Sequence, residues 1–311
     1  MLRLSLLDQS GESIVLCYRT ARSIYRWFVP MIGRYYLKRM IDDGLPARFR
    51  LPLLFLLTKS LSQEDQLIVS RIESVRSKMA NRGDVYVDIY PSPSPGSAGM
   101  VSSPEVKPAP GKVKKVPLSR IANTTSVLPY WGTFLYLCAN VNRAKTILEL
   151  GSCAGISGCY MASGKYCKRF ITIEGSRALA TLAESNIRQV ADNFAVITAL
   201  FDDGFDETLP KLKDGLDMVY FDGQHEKIAT IHYLERLTPH LNAGSILILD
   251  DIRWTSDMWE AWQALCKWKG MAWTIDVGRF GICVWDGVAT QPKNYDFSKF
   301  TDLWRKRKSR N

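Results

Sequence analysis

The chain reads as an α/β protein: a mostly parallel sheet with helices on both faces, preceded by a helical N-terminal extension. From residue 145 onward, short apolar runs of strand length alternate with longer segments of helical periodicity, the pattern of a parallel sheet covered on both sides. The last two runs lie close together, joined by a tight Gly-Arg turn, so the final strand is expected to be antiparallel. Size and composition bound the answer: 311 residues, 46% hydrophobic and 23% charged, suffice for a sizeable core and exclude a largely disordered, collagen-like or small disulfide-stapled chain.

The N-terminal region comes first. Ile14, Tyr18, Ala21, Tyr25, Phe28, Ile32 and Tyr36 fall at steps of three and four, which is helical spacing, and Pro30 is expected to kink or break a helix there. Ser62-Gln-Glu-Asp65 resembles a capping box with Asp in place of Glu or Gln. Leu67, Ile68, Ile72, Val75 and Met79 follow on one face, with Gly83 as the expected end. Residues 91–117 hold seven of the fourteen prolines and read as a linker or an extended wrapping arm. The expected strands are then 146–150, 170–173, 195–200, 216–221, 245–249, 271–277 and 280–285. Helices are expected over 177–192, with Ser176 as N-cap, over 226–240 and over 256–268. The expected division is 1–90 helical extension, 91–117 Pro-rich linker, 118–296 main domain and 297–311 basic tail.

Charge placement narrows the function classes. The net charge is +10, yet residues 1–60 hold ten Lys/Arg against four Asp/Glu and residues 304–311 hold five Lys/Arg and no acid. The bulk of the chain is therefore near neutral, which disfavours nucleic acid as partner, since such proteins gather basic residues around the active cleft. Terminal basicity fits peripheral membrane contact, a docking partner or simple solubility. Seven Cys without a CxxC pair, and only three His, argue against structural zinc and point to a reduced, cytoplasmic setting. Asp8 and Glu12 interrupt any signal-peptide apolar stretch, and no apolar run is long enough to span a membrane.

The chemistry sits at the strand ends. Glu149-Leu-Gly-Ser-Cys-Ala-Gly155-Ile-Ser-Gly158 follows the first strand and opens a helix. Glycines there let the backbone approach a ligand closely, and the helix start favours an anion. The spacing is not that of the dinucleotide GxGxxG pattern. Glu174 ends the next strand, where a carboxylate can accept both hydroxyls of a ribose. Asp222-Gly-Gln-His225 ends the fourth strand and Asp250-Asp251 the fifth. Three carboxylates ending adjacent strands would converge in one cleft and need a cation between them or a shared proton; carboxylate oxygens suit Mg²⁺, Ca²⁺ or Mn²⁺. His225 lies one short turn from Asp222 and can take a proton from a hydroxyl. The structural alternative is that Asp222 and Asp251 cap helices and His225 is a surface residue.

ILELGSCAGISG, ITIEGS, DMVYFDGQH and LILDDI, in this order and spacing, resemble the class I S-adenosylmethionine-dependent methyltransferases, within them the catechol O-methyltransferase-like group and its bacterial relatives. The resemblance covers roughly 118–296. It implies a Rossmann-like sheet of seven strands in the order 3-2-1-4-5-7-6, the last antiparallel. It implies S-adenosyl-L-methionine as cofactor, bound by Val127, Glu149, Gly151, Ser152, Gly155, Ser157, Glu174, Gly175, Ser176, Phe201, Asp202 and Asp222. It implies a divalent cation, Mg²⁺ or another, on Asp222, Asp250 and Asp251. The third position is an Asn in catechol O-methyltransferase, so Asp251 is a departure, as is His225 where that enzyme carries a catalytic Lys. His225 and Asp222 are the implied catalytic residues.

The reaction so implied is O-methylation of a hydroxyl on a small molecule, a secondary metabolite or a sugar among the candidates. No Asn-Pro-Pro-Tyr or Asp-Pro-Pro-Tyr follows the fourth strand and no Pro-Cys occurs, which removes the features of amino-directed and cytosine-directed methyltransferases. Cys153 and Cys159 read as small buried residues. Tyr130, Trp131, Trp254 and Trp259 lie in segments expected to flank the cleft, where aromatic walls suit a flat acceptor. The competing readings are a methyltransferase acting at a membrane surface on a lipid or polyprenyl acceptor, a nucleic-acid methyltransferase and a non-catalytic binding module. The segment 1–117 could lid the site, make a homodimer or meet a membrane.

Overall fold

Residues 28–89 and 114–301 are described by the structure, a computed structural model of the chain. The described N-terminal part is helical: α1 over residues 28–42, α2 Arg50–Thr58 and α3 Gln63–Ala80. Within the described residues α1 carries Pro30 without a break. The periodic positions Ile14, Tyr18, Ala21 and Tyr25 lie outside the described residues. Ser62 caps α3 as expected: its hydroxyl accepts from the Asp65 N–H at 3.1 Å and donates to the Asp65 carboxylate at 2.6 Å, in place of the reciprocal backbone bond of a full capping box. A ribbon of β1 (Tyr86–Ile89) and β2 (Lys114–Pro117), paired antiparallel, follows. Next come α4 (Leu118–Arg120), a π-helical turn over Ile121–Thr125, and α5 (Pro129–Val141).

The alternation expected from residue 145 is then realised as β3 (Thr146–Leu150), α6 (Ile156–Ala162), β4 (Arg169–Glu174), α7 (Arg177–Ile187), β5 (Phe194–Thr198), α8 (Phe201–Thr208), β6 (Leu216–Phe221), α9 (Lys227–Leu237), β7 (Leu241–Leu249), α10 (Ser256–Leu265), β8 (Met271–Asp276) and β9 (Gly281–Trp285). The sheet order is β5-β4-β3-β6-β7-β9-β8, as implied, with β9 alone reversed. An eighth strand, β10 (Lys293–Asp296), extends the edge parallel to β8, and the short helix α11 (Ser298–Thr301) follows it. Sequence reading missed β10 because its residues, Lys-Asn-Tyr-Asp, bury only Tyr295, and a polar edge strand has no apolar period to detect. Ser176 caps α7 as expected, its hydroxyl accepting from Leu179 N–H.

The period of two sorts the strand residues between two cores. Ile147, Met218, Tyr220, Ile246, Ile248, Ile282 and Val284 face one side. Leu148, Leu150, Val219, Phe221, Leu247, Leu249 and Cys283 face the other. The first core also takes in the N-terminal helices through Phe49, Leu53, Ile72, Val75 and Met79, so those helices belong to the same packed body as the sheet. α5 crosses α6 closely because position 132 is glycine: a Cβ there would sit 2.2 Å from the Tyr160 ring.

One buried charge ties α3 to the segment before α5. Arg76 donates to the carbonyls of Ala122, at 2.8 Å, and Val127. Its Nε pairs with Glu73, which also accepts the Tyr160 hydroxyl at 2.7 Å. Hydrogen bonds from a charged donor are worth about 1.5–3 kcal/mol, and buried carbonyls left without a donor are costly. Arg76→Met is therefore expected to lower stability by about 2 kcal/mol or more in urea unfolding; an unchanged midpoint would show that the 121–128 segment is held by packing alone.

Candidate functional site

Strand register assembles the site. Leu150 pairs with Ile173 and with Phe221, and Phe221 pairs with Leu249. These four residues form one rung across the centre of the sheet. The next residues along each strand are Gly151, Glu174, Asp222 and Asp250, so all four leave the sheet side by side at its carboxyl edge. Backbone bonds hold the exits together: Gly151 N–H to Ile173 O, Asp222 N–H to Leu150 O and Asp250 N–H to Phe221 O, each 2.9 Å. From the reversed strand, Gly281 pairs with Leu249, so Arg279, two residues earlier, overhangs the same edge. Three of the five non-glycine residues at positive φ among the described residues sit in these exits: Cys153, Gln224 and Asp251. Such backbone persists where the surroundings hold it, and it clusters at functional loops.

On one side of the rung is the glycine loop. Gly151 has φ +92°, and a Cβ there would lie 2.4 Å from the Asp222 carbonyl; Gly155 has φ +78° and abuts the Ala183 backbone. Both positions need glycine for conformation and for space. The loop is tied to Glu174, whose carboxylate accepts the N–H of Cys153 and of Ser176, each at 2.9 Å. Each oxygen keeps a further lone pair for a ligand. Burial raises the Glu174 carboxyl, and the backbone N–H groups of Ser176 and Cys153 oppose the rise. Ser152, Ser157 and Ser176 are buried, and Gly175 is exposed. Val127 is buried, with its carbonyl engaged by Arg76.

Glu149 is fully buried on the same face, and neither carboxylate oxygen has a hydrogen-bond partner among the described residues. Burial pushes its carboxyl up to about 7; the Ser157 and Thr172 hydroxyls beside it oppose the rise and Glu174 adds to it. An orphaned buried acid beside a bare glycine loop fits a site completed by a polar ligand. Burial, with Glu174, pushes the Cys153 thiol up to about 12, the opposite of the lowered value a reactive thiol shows. Phe201 lies against Gly223 and edge-on to Tyr233. The Asp202 carboxylate is engaged elsewhere, by His232 at 2.8 Å and Arg236 at 2.7 Å, linking α8 to α9.

On the other side of the rung is the acid cluster. Tyr220 donates to Asp250 at 3.0 Å and lies 3.2 Å from Asp222. Burial, then the proximity of Asp250, raises the Asp222 carboxyl well above the usual carboxylate range, with Arg279 opposing the rise. Burial would push Asp250 up too, but the Arg279 guanidinium outweighs it and holds Asp250 low. Arg279 grips both Asp250 oxygens at 2.6 Å and lies 3.6 Å from Asp251. The resemblance implied a divalent cation on Asp222, Asp250 and Asp251. These residues do not fit one as they stand: both Asp250 oxygens are already occupied by an arginine. Among the described residues no cluster of His, Cys, Asp or Glu is arranged to hold a metal. Arg279 was missed in the sequence. The signal was there: three acids ending adjacent strands require a cation, and the turn Gly278-Arg279 supplies one at the same edge.

His225 Nε2 lies 3.8 Å from Asp222, and its ring meets Trp254 edge-on at 5.1 Å. Burial lowers its pKa below 6.5, with Arg279 adding to the effect and Asp250 opposing it, so the imidazole is neutral at pH 7. Of the four aromatic residues expected around the cleft, Trp254 is 59% exposed beside His225 and Trp131 packs on Phe280. Tyr130 turns to α2, donating to Leu56 O at 2.7 Å, and Trp259 stacks with Arg253.

Residues 148–252 match a family described as a methyltransferase domain. The chain is 31% identical over 126 residues to a catechol O-methyltransferase from Mycobacterium tuberculosis, a match covering 39% of this chain and 54% of that protein. The chain thus spans about half the length of the curated relative it matches. Its backbone is similar to that of an O-methyltransferase from Bacillus cereus solved in complex with SAH (23% identity, TM-score 0.46, 52% of this chain and 84% of the other). It is also similar to TomG of Streptomyces achromogenes, an O-methyltransferase of tomaymycin synthesis solved with SAM (20% identity, TM-score 0.44, 52% and 82%).

The orphaned Glu149 has a measurable consequence. An acid whose carboxyl sits higher in the folded than in the unfolded state stabilises the fold at low pH. That contribution is whole below about 4.5 and is lost as pH rises through about 7. Glu149→Gln removes it, so the variant should gain stability relative to the parent by roughly 3 kcal/mol on passing from acid to mildly alkaline pH. Urea unfolding at a series of pH values reads this difference; parallel curves would mean that Glu149 is not held neutral.

Proposed function

We propose that this chain, which carries a class I methyltransferase domain over residues 148–252, methylates a hydroxyl oxygen of a small-molecule acceptor with S-adenosyl-L-methionine as donor. The observation that carries this reading is the shared rung: the Gly151–Gly155 loop and Glu174 leave the sheet directly beside Asp222 and the His225 loop. Donor and acceptor sites built on one rung hold their ligands within reach of each other, and positioning is the largest part of what methyl transfer requires.

The cofactor, when bound, supplies an electrophilic methyl group on a sulfonium and leaves as S-adenosylhomocysteine. Glu174 keeps lone pairs for two ribose hydroxyls, and the bare loop backbone admits the methionine end closely. Ser157 and Gly151 are assigned to that end. Neutral His225 takes the acceptor's hydroxyl proton on Nε2 as the oxygen pair forms the new C–O bond. Proton transfer of this kind contributes 10²–10⁴-fold. Trp254 offers a wall for a flat acceptor. No step runs through a divalent cation, because Asp250 is already bound by Arg279.

Calorimetric titration of S-adenosylhomocysteine tests the donor half: micromolar binding is expected, weakened at least tenfold in Glu174→Ala, about 1.4 kcal/mol. Absence of binding by the folded chain would sink the reading. For the acceptor half, His225→Gln should lower turnover of hydroxylated acceptors about 100-fold or more while leaving that affinity unchanged. The parent's rate should fall as pH drops through a value below 6.5, since only the neutral ring accepts a proton.

A second reading, action at a membrane surface on a lipid acceptor, is favoured by one feature. α1 exposes Phe28, Met31, Ile32 and Tyr35 beside exposed Arg34, Lys38 and Arg39, an apolar stripe with basic neighbours. Co-sedimentation with anionic vesicles that is lost in Met31→Glu/Tyr35→Glu would support it; equal recovery in the supernatant with and without vesicles would remove it. Among the described residues no helix is long and apolar enough to cross a membrane.

A further inference from the structure

The acid-rich edge of the sheet contains its own cation. Asp250 is fully buried, and both its oxygens receive Arg279, Nε to Oδ1 and Nη2 to Oδ2, at 2.6 Å. This is the bidentate fork that a guanidinium makes and an ammonium cannot. The same Nε is 3.6 Å from Asp251, so one guanidinium serves the two acids that end β7. The geometry is held from behind. Arg279 lies in the β8–β9 turn, its carbonyl accepts the Ile252 N–H at 3.2 Å, and its side chain lies over Phe280. Tyr220 closes the far side of the Asp250 carboxylate.

A divalent ion held by carboxylates needs their oxygens at about 2.0–2.6 Å. Arg279 holds both Asp250 oxygens, and binding a metal there would force a guanidinium off its partner and leave two cations side by side in a buried site. Breaking a buried pair by removing one partner is strongly unfavourable. About a quarter of the Arg279 side chain stays exposed at this edge, so the charge is not sealed away as a purely internal brace would be.

We propose that Arg279 takes the place of the divalent cation at this site, supplying the fixed positive charge of a metal-free acceptor pocket. This rests on the methyltransferase reading. Arg279 is a positioning residue: it fixes the Asp250 carboxylate by two hydrogen bonds, stands beside Asp251, and places at the edge next to His225 a positive charge that no chelator can remove.

The test uses Mn²⁺ as the probe, read by electron paramagnetic resonance on the full chain, with S-adenosylhomocysteine affinity measured by calorimetry on the same samples. The parent chain should bind no stoichiometric Mn²⁺ at millimolar concentrations, and its S-adenosylhomocysteine affinity should be the same with EDTA or with Mn²⁺. Arg279→Gln uncovers Asp250 and Asp251 and should bind one Mn²⁺ at least tenfold more tightly than the parent, while Arg279→Lys, which keeps the charge, should not. One Mn²⁺ per parent chain, lost in Asp250→Asn, would overturn the assignment. So would an Arg279→Gln chain that binds S-adenosylhomocysteine normally and gains no Mn²⁺ affinity. The parent measurement decides even if Arg279→Gln does not fold. A parent chain that binds neither probe defeats the methyltransferase reading instead, since only that outcome removes the cofactor.

Discussion

The lateral register of four parallel strands is the constraint on which the rest of this molecule depends. Leu150, Ile173, Phe221 and Leu249 lie on one rung. Because side chains alternate along a strand, a slip of one residue would send every apolar group to the wrong core. Two apolar layers of different make-up enforce that register: Leu148, Leu150, Phe221 and Leu249 on one side, Ile147, Met218 and Tyr220 on the other. The strand exits therefore line up as a consequence of core packing. The residues with polar chemistry stand one step past the apolar rung, where the sheet no longer demands hydrophobic side chains and the backbone turns away.

The N-terminal helices are joined to that edge through the same face. Glu149 points into the core they cover, and Arg76 on α3 binds the carbonyl of Val127 in the segment expected to close over a cofactor. A buried arginine with two backbone carbonyls and a carboxylate as partners is satisfied on each side, so it specifies where the segment lies as well as adding to stability. The described N-terminal helices are thus packed into the same body as the sheet.

Electrostatics at the edge divides into two different solutions for buried acid. Neither Glu149 oxygen has a partner among the described residues, and burial pushes its carboxyl up to about 7. Burial and the neighbouring Asp250 raise Asp222. Asp250 is held low, because a guanidinium is locked onto both its oxygens. The charge pattern leaves His225 neutral, which is the state a proton acceptor needs. One arginine in a turn therefore fixes the carboxylate that ends β7, 29 residues earlier in the chain.

Much of this was legible in the amino-acid sequence. The strands at 146–150, 170–173, 216–221 and 245–249 are mostly apolar runs because both their faces are buried, so the sequence placed Glu174, Asp222 and Asp250 at strand ends, where the register sets them side by side. Other features had no local signature. β10 is polar and at an edge. Asp202, next to Phe201 in the sequence, is drawn to His232 and Arg236 across a helix pair. Arg279 reads locally as a turn residue, and only strand order brings it over Asp250, 29 residues earlier in the chain. Local sequence determined the elements and the chemical types at their ends, because propensity and periodicity act over a few residues. The tertiary structure alone decided which charges meet, because pairing across the sheet depends on strand order and register, and with it whether the acids at the edge await a metal or already have their cation.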